Sequence, residues 1–97
     1  MTEAISRADV TTKEGRKYLV QLCKHFQHKR PATWGDDRGR IEFGSGLCEL
    51  TADDSGLHIV ATATEAENAP QLEDVIARHL VRFAFREELQ SPEWRPS

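Results

Sequence analysis

The sequence predicts a two-layer α+β domain: an antiparallel sheet of four to five strands with two helices on one face, in the order β-α-β-β-β-β-α. Three observations predict it. Amphipathic stretches of helical period lie around residues 15–29 and 68–90. Between them, residues 32–63 alternate apolar and polar side chains in short runs. The breaks between those runs are brief and rich in Gly, Asp and Ser, so each strand folds back on the one before it. Two helices with one apolar stripe each then bury those stripes on a common sheet.

The elements follow in chain order. Residues 4–10 alternate small or apolar with polar side chains, which suits a short edge strand. Thr11-Thr12-Lys13-Glu14 has capping-box spacing, with Thr11 as the cap and Glu14 three residues on. A helix follows to about Lys29, stopped by Pro31. Its apolar stripe is Gly15, Tyr18, Leu19, Leu22 and Phe26. Residues 32–35 form a short strand containing Trp34, and Asp36-Asp37-Arg38-Gly39 turns the chain. The strand over 40–43 places Ile41 and Phe43 on one face, before the Gly44-Ser45-Gly46 turn. The strand over 47–52 sends Cys48, Leu50 and Ala52 inward. After the hairpin turn Asp53-Asp54-Ser55-Gly56 comes the clearest strand, 57–63. Its inner face is Leu57, Ile59, Ala61 and Ala63, and its outer face His58, Val60 and Thr62. The last helix begins near Asn68 as cap, accepts Pro70 in its first turn, and runs to about Gln90. Leu72, Val75, Ile76, His79, Leu80, Phe83 and Glu87 recur along its stripe. Residues 91–97 read as an irregular tail, with Trp94 folded back onto the body.

Residues 1–97 make one domain, long enough to bury a single core without a disulfide or metal staple. Thirteen basic and sixteen acidic residues leave a net charge of -3, which argues against a nucleic-acid binder. No apolar run is long enough to span a bilayer, and Met1-Thr2-Glu3-Ala4 lacks the pattern of a signal peptide. The expected location is cytoplasmic, without membrane contact, where Cys23 and Cys48 stay as thiols.

The segment Leu22-Cys23-Lys24-His25-Phe26-Gln27-His28-Lys29 concentrates the chemistry of the chain. Successive helical residues turn by about 100°, so Cys23 and His25 diverge, whereas His25 and His28 are neighbours. His79 lies in the apolar stripe of the last helix and faces the core. If the two helices pack side by side, His25, His28 and His79 form a candidate site for a transition metal, iron or zinc, with Glu42 or Glu87 as a carboxylate ligand. Lys29, Arg30, Arg82 and Arg86 surround the same region and supply the charge to clamp a carboxylate or phosphate. Each residue also suits a structural role. His79 fits a core imidazole bonded to backbone, His25 and His28 a helix C-terminus that favours positive charge, and the cysteines small buried apolar groups. No phosphate loop, serine elbow or paired-acid motif is present, and a Cys–His nucleophile pair remains only for Cys48 with His25 or His79.

The pattern Tyr18-Leu19-x-x-Leu22-Cys23-Lys24-His25-Phe26-x-His28-Lys29, then Phe43-Gly44, Cys48, His79-Leu80-x-Arg82-Phe83-Ala84-Phe85-Arg86-Glu87 and Trp94, resembles the bacterial domain of unknown function 2218 family. The likeness covers nearly the whole chain, although the segment from Gly44 to Cys48 is longer and richer in glycine than the family pattern. It implies that Cys23, His25, His28, Lys29, Cys48, His79, Arg82, Arg86 and Glu87 are motif positions. It also implies a link to siderophore-interacting flavoproteins, as partner or as sibling domain. The order of elements is similar to the TATA-binding-protein-like arrangement, an analogy of fold alone.

The expected function is therefore an accessory domain of iron or metal handling that binds a metal ion or an anionic chelate. The alternative is an interaction or structural module without a small ligand. A homodimer through the open sheet face, with Trp34, His58 and Val60 on it, is the third expectation.

Overall fold

The computed structural model describes residues 3–83 and 93–96. The elements are β1 (Ala4–Thr11), α1 (Gly15–Phe26), β2 (Ala32–Trp34), β3 (Arg38–Phe43), β4 (Gly46–Asp53), β5 (Gly56–Ala63), α2 (Ala69–Phe83) and β6 (Arg95–Pro96). A single 3-10 turn, Ala66–Asn68, leads directly into α2. All strands join one antiparallel sheet in the order β2-β3-β4-β5-β1-β6, with both helices packed on the same face. The α+β class is as the sequence predicts. Among the described residues the sheet has six strands instead of four or five, because Arg95 and Pro96 pair with Arg7 and Ser6. That pairing also makes β1 an inner strand at these positions, not the edge.

Alternation of side chains explains the core. Along β4, Gly46, Cys48, Leu50 and Ala52 are buried; along β5, Leu57, Ile59, Ala61 and Ala63 are. In β1 the buried residues are Ser6, Ala8 and Val10. Onto this face α1 lays Tyr18, Leu19, Leu22, Cys23 and Phe26, and α2 lays Leu72, Ile76 and Leu80. A hydroxyl links the layers: Ser6 Oγ donates to the Glu73 carboxylate at 2.7 Å. Gly39 leaves the space into which Cys23 and Leu19 pack. A Cβ there would stand 2.7 Å from the Cys23 sulfur.

Several local expectations change. The capping box does not form, because Thr11 is drawn into the sheet opposite Gly56. Thr12 Oγ1 instead accepts the Glu14 N–H, at 3.0 Å, and Glu14 caps α1 without a side-chain bond. The helix ends at Phe26, three residues before the expected Lys29. Its last carbonyls are closed by turns, with the N–H groups of both Lys29 and Arg30 donating to Phe26 O. The strand β3 starts at Arg38, so the expected turn there is shorter by two residues. Trp34 is opposite Gly39 in the register and packs against the core, so it lies on the helix side and not on the open face. His58 and Val60 do lie on the open face, where they are half-buried. No helix among the described residues is long and apolar enough to cross a membrane.

On that open face His58 is held between two carboxylates. Its Nδ1 is 2.6 Å from Asp9 Oδ1 and its Nε2 3.1 Å from Asp53 Oδ2, while Arg95 on β6 bonds to the other oxygen of Asp9. Donating a hydrogen bond to the Asp9 carboxylate raises the pKa of His58 above its ordinary 6.5, and accepting that bond lowers the pKa of Asp9 below 3.8. The signs define a window. The imidazolium contribution is fully present below pH 6.5 and is lost as pH rises through the raised value. The Asp9 contribution is present above pH 3.8 and is lost as pH falls through the lowered value. His58→Gln is therefore expected to destabilise the fold at pH 5.5 by about 0.5 kcal/mol, the scale of an exposed pair. The difference should shrink towards zero at pH 9. Urea unfolding of both proteins at the two pH values checks this, and an equal difference at both would reject the charged clasp.

Candidate functional site

The C-terminal end of α1, the β3–β4 turn and the first three turns of α2 meet around a cleft of about 600 Å³. From α1 and the turns that follow it come His25, Phe26, His28, Lys29 and Arg30. The β3–β4 turn adds Phe43, Gly44 and Ser45, and α2 adds Gln71, Leu72, Val75 and His79. The local sequence explains the placement. Phe26 is the last apolar position of the α1 stripe, so its ring is buried while His25 beside it and His28 beyond it stay exposed. His79 occupies a stripe position of α2 near the edge of the core and is half-buried.

The rings form a connected cluster. His25 and His79 have centroids 4.9 Å apart, and Phe26 lies 4.8 Å from His79 and 5.0 Å from Phe43. Phe83 stands edge-on to His25 at 5.5 Å. His79 Nδ1 is 2.6 Å from the Val75 carbonyl. A carbonyl only accepts, so Nδ1 carries the proton and Nε2 is left as the ring's second polar atom. The pKa of His25 is lowered, first by loss of solvent around the ring and then by the positive neighbours His79, His28, Lys29 and Arg82. The local potential is thus positive. No acidic residue among the described ones lines the cleft, in a chain that carries 16. Neither Lys29 nor Arg30 has an ion-pair partner among the described residues.

The structure brings His25, His28, His79 and Lys29 together around this cleft, as side-by-side helices require. Arg82 is exposed and close enough to His25 to disfavour its protonation, yet it does not line the cleft. Arg86 and Glu87 lie outside the described residues. Glu42 is not available to the histidines: it alternates with Ile41 and Phe43, so it is exposed on the opposite side of the sheet. No three His, Cys, Asp or Glu side chains among the described residues are gathered as a metal site. Cys23 and Cys48 are buried free thiols. Burial pushes the Cys23 thiol up to about 11 and the Cys48 thiol higher still, so neither is a thiolate nucleophile at neutral pH.

The sequence reading did not associate Phe43, Gly44, Ser45, Gln71 and Val75 with the site. Phe43 carried one usable signal. It follows inward-facing Ile41 by two residues and sits at the end of its strand, where an inward ring must emerge at the margin of the core.

Over residues 7–95 the chain matches the model of a family described as an uncharacterized protein conserved in bacteria, DUF2218. No curated protein matches it. The fold is similar to the NMR structure of PA4090 from Pseudomonas aeruginosa, with a TM-score of 0.72 and 29% identity, covering 99% of this chain and 97% of that one.

Proposed function

The chain belongs to the DUF2218 family, and from that premise we propose that it is a binding module whose cleft takes a small anion. One observation carries the reading: an acidic chain has assembled Lys29, Arg30 and three imidazoles around a cleft free of carboxylates among its described residues. Charged side chains left without internal partners on a concave surface favour an anion from outside. Arg30 offers two parallel donors to a carboxylate, Lys29 a mobile point charge, and the imidazole nitrogens further hydrogen bonds. Iron handling beside a siderophore-interacting flavoprotein fits this reading through the ligand, since a chelated ferric ion arrives as part of an anion.

Citrate and inorganic phosphate are suitable probes. Titrated into ¹⁵N-labelled protein, citrate is expected to shift the amides of residues 25–30 and 43–45. Arg30→Glu should weaken that binding about tenfold, as loss of a charged hydrogen bond does. Unchanged affinity in the variant would reject the assignment.

A second reading is a metal ion, iron or zinc, on the pair His25 and His79, with no third protein ligand gathered there among the described residues. Two observations support it: the 4.9 Å between the first two rings, and the fixing of His79 by the Val75 carbonyl, the outer bond that metal-binding imidazoles use. Elemental analysis after loading with iron(II) or zinc separates the two. Stoichiometric metal that is lost in His25→Ala/His79→Ala would favour the ion over the anion.

A further inference from the structure

We propose that the anion is an aryl carboxylate, a flat aromatic body bearing its charge at one end. The inference rests on the anion-binding reading and adds the uncharged part of the ligand. Size is the first argument. A cleft of about 600 Å³ falls in the range that holds whole organic molecules, and a bare inorganic anion would leave most of it to water.

The wall chemistry is the second argument. Phe26 is edge-on to Phe43 with interplanar angle 78°, and tilted against His79 at 56°. Val75 and Leu72 extend this side along α2. A further ring entering such a cluster gains edge-to-face or offset contacts beyond its buried area, which an alkyl chain does not. The charged end is the third. Arg30 Nη1 stands 3.6 Å from the point where a side chain on Gly44 would begin, so the guanidinium reaches the β3–β4 turn that borders the cleft. Its planar fork matches a carboxylate. Rings and guanidinium border the same cleft, so a ligand that carries both parts meets both.

The protein, ¹⁵N-labelled, should be titrated with 2-naphthoate, octanoate and inorganic phosphate. Naphthoate is expected to shift the amides of residues 43–45 and 75–79 and to bind about fivefold tighter than octanoate, the scale of an added ring contact. Phe43→Leu should weaken naphthoate binding more than octanoate binding and so remove that preference. Intermolecular NOEs from naphthoate to Phe43 and Val75 in the unaltered protein give a reading that needs no variant. Octanoate binding in the cleft as tightly as naphthoate would overturn the aryl assignment and leave the anion reading standing. If none of the three probes shifts the cleft amides, both fall.

Discussion

Gly56→Ala is expected to cost about 3 kcal/mol or more, a large share of the stability of a domain this size. Gly56 opens β5 with φ at +153°, a conformation that side chains rarely adopt. An added Cβ would overlap the Val10 carbonyl oxygen and stand 2.9 Å from its carbon and 3.1 Å from Thr11 Cα. These are backbone atoms in the β1–β5 ladder, with Thr11 paired to Gly56 itself, so they cannot swing aside as a side chain would. The Gly56 carbonyl also lies against the start of α1, where a Cβ on Gly15 would approach it to 2.6 Å. Moving the turn therefore moves the helix. Gly35→Ala is the control: an added Cβ meets nothing within 4 Å, and the expected change is within about 0.5 kcal/mol. Urea unfolding of the two variants beside the native chain tests the claim. Similar midpoints for both would show that the β1–β5 contact yields easily.

Ile59→Ala is expected to cost about 3 kcal/mol, within the usual range for a buried isoleucine cut back to its Cβ. Ile59 is 1% exposed, in an inner strand whose neighbours are β4 and β1. Both helices pack against β5, so the cavity opens beneath the layer whose spacing sets the cleft. Ligand binding should weaken along with stability in this variant, whereas Arg30→Glu should weaken binding and leave the urea midpoint nearly in place. Equal losses of stability in the two variants would place Arg30 in the framework of the fold instead of at a ligand.

The strongest features of the fold were legible because they are periodic. Leu57 to Ala63 alternates so cleanly that its buried face could be written down from the sequence, and the stripe from Tyr18 to Phe26 specified the inner side of α1. His25 and His79 were legible by the same means, since each sits at the margin of a helix stripe and their rings meet there. The helical spacing expected of His25 and His28 does not apply, because His28 lies beyond the end of α1 and reaches the cleft through the turns that follow it. What was hidden depended on pairing between distant segments. Arg95-Pro96 has no strand pattern, and it becomes a strand because β1 offers it backbone partners at Ser6 and Arg7. Thr11 looks like a helix cap until the ladder with Gly56 claims it. In a strand as short as β2, alternation cannot say which face Trp34 takes; the register opposite Gly39 decides that.

The candidate site divides in the same way. Which residues carry charge, and that His25, His28, Lys29 and Arg30 follow one another at the end of α1, is a property of the sequence; that the last three reach the cleft from turns beyond Phe26 was decided with the rest of the fold. That the Phe43–Ser45 turn closes the other side, that Glu42 faces away, that Arg82 stays outside, and that no described carboxylate enters the cleft was decided by the tertiary structure. Those are relations between elements far apart in the chain, set by strand register and by how each helix seats on the sheet, and neither is encoded in local periodicity.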